Sequence, residues 1–361
     1  MEKFNEKDVR AFWKLLGHHE LPQSCTEVRA INPKERFGPH IGLGFFVSED
    51  AFVDALAELA GKYNLYAGRN ARPKAIVTPN LRNRISFHKE DICRGGRSTD
   101  IEWISNLSLD IDAKRPNCGN CAATEAEHLQ AIRAAQEIAK DENNPIISSG
   151  NGAYPWFPVH HYKIEPNKRE EITKQLMVWE DQLRSKWEHK FRINIDNVYD
   201  LARIVKIPGT LCIKGENTPE RPHRMAKILQ PWDGRLSLMM DEVTKISVEN
   251  IQSSNFRTIE GVDFTLGDYK EAQLPARFSL ELLRNERVRQ LWLGNTTQKA
   301  DHSRSGLDYA LAAFLAKNRF TVAEIATILW NYSHGKARTH HDSDYYLGLT
   351  IRKAMAVRPP F

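Results

Sequence analysis

The stretch from Ile104 to Asp112 constrains this chain more than any other. Leu107, Leu109 and Ile111 alternate with polar residues, which is the period of a β-strand with one face in a core. Residues two apart on a strand share a face, so Asp110 and Asp112 project together on the side away from that core. Two adjacent carboxylates repel unless a cation lies between them, and hard oxygen ligands of this kind suit magnesium or manganese. A lone D-x-D also recurs by chance, and the pair taken alone reads equally as two solvated carboxylates at a strand end. A second copy, Asp342-Ser343-Asp344, follows His340-His341 in a polar stretch and reads as a loop.

A third acidic position repeats the device. In Arg192-Ile193-Asn194-Ile195-Asp196 the two isoleucines face one way, and Asn194 and Asp196 face the other. If this strand lies beside the first, Asp196 completes a three-carboxylate cluster able to hold one or two divalent ions, as in-line attack on phosphorus requires. Between them, Ser148-Ser149-Gly150-Asn151-Gly152-Ala153-Tyr154 follows a short strand over 145–149. Its glycines let backbone approach a ligand closely, and successive N–H groups there could form an anion nest; a plain tight turn is the other reading. A basic string follows: Arg203, Lys206, Lys214, Arg221, His223 and Arg224, around the turn Pro208-Gly209-Thr210. Cations beside an acidic metal centre fit a polyphosphate substrate. There is no G-x-x-x-x-G-K-[ST], so a P-loop motor is not encoded.

Around these motifs the chain alternates strands and helices. Strands are expected over 26–31, 41–47 and 64–67, and a helix capped by Ser48 runs to about Leu59. The basic loop Gly68–Lys74 carries Arg69, Arg72 and Lys74, which could touch phosphates, a solvated turn being the plainer reading. Thr124-Glu125-Ala126-Glu127 fits a capping box. Ile172, Leu176, Trp179, Leu183 and Trp187 mark a long helix near 168–190. A short helix is expected over 198–206 and a strand over 224–229. Residues 247–275 read as a polar connector. The remainder is helical, with apolar stripes over 278–283, 301–317 and, behind a second capping box at Thr321, 322–329.

Hydrophobic residues are 41% and charged residues 27% of 361, and the net charge is +5, an ordinary globular balance that permits a polyanionic partner without requiring one. No apolar run approaches the roughly 18 residues that span a bilayer, and the opening residues are charged, so no membrane partner is expected and the cytoplasm is the expected location. Five scattered cysteines make structural disulfides an unfavoured expectation. Cys118-Gly119-Asn120-Cys121 has the spacing of half a structural Zn²⁺ site, but Cys93, His88 and His128 offer no second close pair. A turn with two reduced cysteines is the plainer reading.

The ordered succession of motifs resembles the archaeo-eukaryotic primase-polymerase superfamily, in particular the branch found in phages, plasmids and CRISPR-associated loci. Leu109-Asp110-Ile111-Asp112 is similar to its first motif, Ser149-Gly150-Asn151-Gly152-Ala153-Tyr154 to its second, and Asp196 through Arg203 to its third. Ile207-Pro208-Gly209-Thr210-Leu211 with Lys214-Gly215 resembles a following extension, and Ser303-Arg304-Ser305 through Tyr346 resembles a helical domain often fused behind. Tyr154 stands where many members have histidine; His160 or His161 is an alternative.

The resemblance implies an α+β fold. A catalytic core with an RRM-like mixed sheet would occupy 1–246, a connector 247–275, and a C-terminal helical bundle 276–361. It implies template-dependent joining of dNTPs or NTPs on single-stranded DNA by two Mg²⁺ or Mn²⁺ ions. Asp110, Asp112 and Asp196 would be the metal ligands. Ser149, Gly150, Asn151, Gly152, Tyr154, Arg203, Lys214, Arg221, His223 and Arg224 would hold the nucleotide, with Asp200 a competitor for the third-ligand role. Arg69, Arg72 and Arg304 are the candidate nucleic-acid contacts, and a separate helicase or CRISPR adaptation proteins are candidate partners. The rival readings are a non-catalytic nucleic-acid-binding replication initiator or defence adaptor, and a metal-dependent glycosyltransferase.

Overall fold

The computed structural model describes residues 2–32, 41–88, 91, 96–115, 121–139, 144–246, 266–295, 303–340 and 343–356. The chain divides into two units, Met1–Ile251 and Gln252–Phe361. Most of the expected connector, 247–265, lies outside the described residues.

In the first unit, helix α1 (Glu6–Leu16) begins where the Asn5 side chain accepts the Asp8 N–H and ends at left-handed Gly17, a start and stop that the residue types favour. Strands β1 (Ser24–Ile31) and β2 (Ile41–Phe46) follow, then helix α2 (Glu49–Leu59), capped by Ser48 as its position suggests. Next come β3 (Asn64–Gly68), β4 (Arg72–Pro73), β5 (Trp103–Ser108) and β6 (Ile111–Ala113). Helix α3 (Glu125–Ala139) starts from the Thr124–Glu127 capping box, in which each residue's side chain accepts the other's amide, at 3.2 and 2.8 Å. Strands β7 (Ile146–Ser148) and β8 (Ala153–Lys163) lead into helix α4 (Arg169–Phe191). The unit closes with β9 (Ile193–Ile195), β10 (Ile204–Lys206), β11 (Leu211–Cys212), β12 (Arg224–Met225), β13 (Lys227–Gln230) and helix α5 (Met239–Thr244).

These strands form a five-stranded sheet ordered β10-β3-β1-β2 with β4 on β1, a six-stranded sheet ordered β13-β7-β8-β6-β9 with β5 on β8, and the small β11–β12 pair. The unit is α+β. Every pairing between these strands is antiparallel, so the expected mixed sheet is corrected to antiparallel ones.

The six-stranded sheet is buried on both faces. One face, with Leu107, Ile111, Phe157, Ile193 and Ile195, packs on Ala131 and Ala135 of α3 and on Ile172, Leu176, Trp179 and Trp187 of α4. The other face carries Tyr154 and Trp156, which join a cluster with Phe12 of α1, Phe52 of α2 and Leu65 and Ala67 of β3. The alternation along β8 therefore separates two cores rather than core from solvent.

Several expectations are corrected here. The single strand expected to Asp112 is two strands broken at Leu109–Asp110. Its polar face is covered: Asn106 is buried, donating to the Leu16 carbonyl at 3.0 Å and accepting the Trp156 indole N–H at 2.9 Å. Strand β8 went unrecognised in the sequence because Pro155 and Pro158 argue against a central strand. The β5–β8 register shifts between Ile104 and Asn106, just where Asn106 meets Pro158. The short helix expected over 198–206 is a turn followed by β10, which pairs with β3. The expected 224–229 strand is β12 and β13, separated at Ala226. Cys121 is disulfide-bonded, against expectation, while Cys25 and Cys212 are free. Cys118 of the proposed half zinc site lies outside the described residues.

The second unit holds α6 (Ala276–Arg284), α7 (Glu286–Trp292), α8 (Arg304–Lys317), α9 (Val322–Asn331) and α10 (Ser343–Ala356). Leu311, Leu315, Ile325, Ile328, Leu347 and Ile351 make its core. Thr321 and Glu324 form the second capping box. Asp344, read in the sequence as part of a loop, opens α10. Among the described residues no helix is long and apolar enough to cross a membrane.

Candidate active site

Strands β6 and β9 pair with Ile111 opposite Ile195 and Asp112 opposite Asn194. One step on, the Asp196 amide donates to the Asp110 carbonyl at 2.9 Å. Directly opposed residues share a face. Ile111 and Ile195 point into the core against α3 and α4, so Asp110, Asp112, Asn194 and Asp196 stand on the opposite face. Ala153 lies opposite Ile111, which places Tyr154 on the acidic face as well.

The electrostatics record the crowding. Burial, then Asp112, then Asp196, push the Asp110 carboxyl well above the ordinary carboxylate range, while Arg203 and Lys214 pull it back. Asp196 is exposed as a residue, yet desolvation of its carboxyl and the charge of Asp112 raise it too, opposed by Arg203, Lys214 and Arg184. Burial, and then Asp110, push the Tyr154 phenol up. Three carboxylates and two cations therefore lie within electrostatic reach of one another. Neither the Asp110 nor the Asp196 side chain takes a hydrogen bond or an ion pair among the described residues. Asp112 does: the Arg115 guanidinium lies 2.5 Å from its Oδ1.

The donor set suits a hard divalent cation in kind. It is not yet gathered around one point: among the described residues no group of three or more His, Cys, Asp or Glu side chains is arranged to hold a metal ion.

The glycine turn is shaped by close packing. A Cβ at Gly152 would strike the Ile111 carbonyl oxygen and lie 2.6 Å from Asp112 Oδ1, and one at Gly150, where φ is +90°, would meet Cys212 Cβ at 2.7 Å. Of the two readings of this stretch, the hydrogen bonds fit the tight turn. The Gly150 N–H is taken by Ser148 Oγ at 3.1 Å, the Gly152 N–H by Ser149 Oγ at 2.9 Å, and the Ser149 N–H by the Gly152 carbonyl at 3.0 Å. Asn151 bridges outward, accepting the Ala123 N–H at 2.8 Å and donating to the Cys212 sulfur. Tyr154 is 5% exposed, with its hydroxyl near the Lys206 amide at 3.4 Å. His160 and His161 lie toward the far end of β8, where Tyr162 pairs with Ile104, and His161 packs against Gly17.

The remaining basic residues separate by role. Arg203 pairs with Asp200 Oδ2 at 2.7 Å and donates to the Asn197 carbonyl, standing where the chain crosses from β9 in one sheet to β10 in the other. Asp200 is thereby committed to Arg203. Lys214 is half-buried and has no hydrogen bond or ion pair among the described residues. Arg221 grips Glu127 through both carboxylate oxygens, at 2.9 and 3.2 Å, and the Ala122 carbonyl at 2.6 Å. Arg224 holds Glu125 at 3.1 Å and the Ala123 carbonyl at 2.6 Å, and His223 bonds the Gly215 carbonyl at 3.0 Å. Arg221 and Arg224 thus tie the hairpin loop to the start of α3.

Arg69 and Arg72, expected to contact nucleic acid, are 1% and 0% exposed and cannot reach a phosphate. Arg72 pairs with buried Glu27 at 2.5 Å and donates to the Asn70 and Ala202 carbonyls, both at 2.7 Å. Arg69 donates to the Ser108 and Asp200 carbonyls, and burial lowers its pKa to about 10. Arg304 lies in the other unit, exposed, with its guanidinium on the Gly335 carbonyl.

No protein-family model matches this chain. No curated protein matches it either. Among solved structures, it is similar to one described as the crystal structure of primase RepB'. The TM-score is 0.38 and the identity 11%, over 98% of this chain and 95% of that one. At that score the likeness carries no argument, and the functional reading rests on residues and geometry.

Sequence reasoning passed over Arg115, Tyr66 and Lys206's setting. Lys206 is buried, its ammonium on the Leu211 carbonyl at 3.1 Å, and burial lowers its pKa to about 8. Tyr66, on β3, has its phenol raised by burial and then by Cys212 and Asp110. Arg115 follows Asp112 by three residues, and that spacing was the available signal.

Proposed function

We propose that the first unit is a nucleotidyltransferase of the primase-polymerase kind, joining dNTPs or NTPs along a single-stranded DNA template with two bound Mg²⁺ or Mn²⁺ ions. The observation that carries this reading is the placement of Asp110, Asp112 and Asp196 on one sheet face, within electrostatic reach of Arg203 and Lys214.

Like charges held this close favour a bound cation. Asp110, Asp112 and Asp196 would supply the ligands. Divalent ions in such a cluster lower the pKa of an attacking hydroxyl and neutralise charge on the leaving pyrophosphate. Lys214 would draw in the triphosphate, and Arg203, a planar fork, would orient phosphate oxygens. The Ser149–Gly152 turn would hold β6 close to β8 and so fix where Asp112 points. Template bases, not side chains, would choose the incoming nucleotide. In this reading the two sheets form an RRM-like primase core, and the second unit, a helical bundle carrying Arg304, grips single-stranded template. A helicase or CRISPR adaptation proteins would be partners in a cytoplasmic setting.

The test is primer extension and primer synthesis with Mg²⁺ or Mn²⁺. Asp110→Ala combined with Asp112→Ala should lower product by at least about a hundredfold, with the circular dichroism spectrum unchanged. Undiminished synthesis by that double variant would remove the metal assignment.

The self-satisfied turn favours a second reading, a nucleic-acid-binding module without catalysis. Salt-sensitive binding of single-stranded DNA with no nucleotide incorporated under either metal would select it.

A further inference from the structure

We infer that the loop 333–340 of the second unit is a preformed contact for single-stranded DNA, and that buried Asp308 holds it in shape. The inference rests on the reading above that the second unit grips template, and it names the surface and a positioning residue beneath it.

The loop joins α9 to α10. It carries His334, Lys336, Arg338 and His340 and no acidic residue. Its exposure alternates: Gly335 and Ala337 are buried, while Lys336 and Arg338 are exposed. The backbone around the buried positions is tied down. The Lys336 amide donates to Asp308 Oδ2 at 2.7 Å, the Ser343 hydroxyl to the Ala337 carbonyl at 3.0 Å, and Arg304 Nε to the Gly335 carbonyl at 2.9 Å. A Cβ at Gly335 would strike Asp308 Oδ1, so only glycine lets the loop pass this close.

Asp308, on α8, is fully buried. Its Oδ2 also takes the Tyr346 hydroxyl at 2.7 Å, while its Oδ1 finds no hydrogen-bond partner among the described residues. Burial pushes the carboxyl up, against the pull of the Tyr346 hydroxyl and the Lys336 amide. A carboxylate this deep with one oxygen unserved costs stability, and an apolar side chain would pack in the helical core without that cost. What the carboxylate supplies is the shape of the loop.

The charges held outside are unspent. The Lys336 ammonium has no hydrogen bond or ion pair among the described residues. It lies 5.8 Å from the centre of the Tyr346 ring, on which His340 stacks at 4.9 Å. Arg338 donates to the Trp330 carbonyl at 2.7 Å and to Asn331 Oδ1 at 3.0 Å, lies 5.5 Å from the centre of the Trp330 ring, and pairs with no carboxylate among the described residues. Exposed cations without carboxylate partners draw phosphates and release their counterions. Cations set beside rings suit a single strand, whose bases have open faces for stacking that a duplex hides.

The test is fluorescence anisotropy of a labelled single-stranded DNA oligonucleotide with the full chain, over a salt series and with no nucleotide or metal. Lys336→Ala with Arg338→Ala should weaken binding roughly tenfold and flatten the slope of log K against log salt by about 1.4, as two lost phosphate contacts require. Arg284→Ala with Arg287→Ala, which removes the same charge from exposed positions elsewhere in the unit, should change binding far less. Asp308→Ala should also weaken binding with every loop cation intact. Losing a negative charge would by itself tighten binding to DNA, so the weakening reads the shape of the loop. Tyr346→Phe should show the same direction, more mildly, if the alanine variant folds poorly by circular dichroism. Equal losses in the two double variants overturn the surface while leaving a template grip elsewhere in the chain standing. Unchanged or tighter binding in the folded Asp308 and Tyr346 variants removes Asp308 as the positioning residue, and equal losses on a duplex of the same length overturn the choice of a single strand. If the natural chain binds no single-stranded DNA, the template reading falls and this inference with it.

Discussion

The backbone amide of Asp196 donates to the carbonyl of Asp110, which makes two carboxylates from distant stretches of chain cross-strand neighbours. One ladder bond sets their spacing, and the registers of β6 with β8 and β9 aim them. Whatever disturbs those registers should therefore disturb the acidic face before it unfolds the unit.

Gly152 is the sharpest test of that coupling. In Gly152→Ala the new methyl would meet the Ile111 carbonyl, a backbone atom that can yield only by moving β6. The expected cost is about 1–3 kcal/mol, read by urea unfolding, together with loss of activity measured at a denaturant-free temperature where the variant is folded. Gly348→Ala is the control. It lies in α10 with nothing within 4 Å, and a helical alanine there should be neutral or stabilising by up to about 1 kcal/mol.

Arg72 should behave as structure rather than as a nucleic-acid contact. Its guanidinium and the Glu27 carboxylate are both fully buried, and removing Arg72 leaves that carboxylate only the partly exposed Arg29, 2.5 Å from its other oxygen, and leaves the Asn70 and Ala202 carbonyls without their donor. Arg72→Ala is expected to lose about 3–5 kcal/mol of stability, measured by urea titration. Single-stranded DNA binding by the folded fraction should keep its salt dependence, since no phosphate contact has been removed.

Glu180 gives the unit a pH dependence with a definite sign. Burial raises its carboxyl from the ordinary 4.5 to about 8, against the pull of the Val198 N–H, Arg69, Arg184 and Arg203. A raised carboxyl holds a proton in the folded chain that the unfolded chain has released, so its stabilisation is full below the ordinary value and is lost as pH rises through about 8. The Tm should fall across about pH 5 to 9 in the natural chain and fall less in Glu180→Gln. An identical slope in the two would remove Glu180 as the cause.

Arg203 and Lys214 should separate substrate binding from the chemical step. Lys214 has no partner among the described residues, so Lys214→Ala disturbs little else and should raise the nucleotide KM roughly tenfold with a smaller change in kcat. Arg203→Ala should also raise KM, with some loss of stability because it releases Asp200 and the Asn197 carbonyl. An unchanged KM in either variant takes that residue out of the site.

Much of the local structure was legible in the residues. Ser48, Thr124 and Thr321 mark helix starts because a hydroxyl at that position satisfies an otherwise unpaired amide, and each is a cap in the fold. The stripe of Ile172, Leu176, Trp179 and Trp187 located α4 for the same local reason. β8 was hidden by its two prolines, and β10 by a run of apolar residues that suits a helix as well as a strand. Neither could be recognised without the partner strand that pairs with it.

The residues alone determined which groups could do chemistry: the alternation of isoleucine with aspartate put Asp110, Asp112 and Asp196 on faces opposite to the core, because side-chain direction on a strand is a local property. Tertiary structure alone decided which charges are spent. Arg69, Arg72, Arg203, Arg221 and Arg224 look as available in the sequence as Lys214, yet the first two are buried, Arg203 is paired with Asp200, and the last two are locked onto the start of α3. A charge is free or committed according to what the folded chain brings against it, and those partners come from stretches far away in sequence.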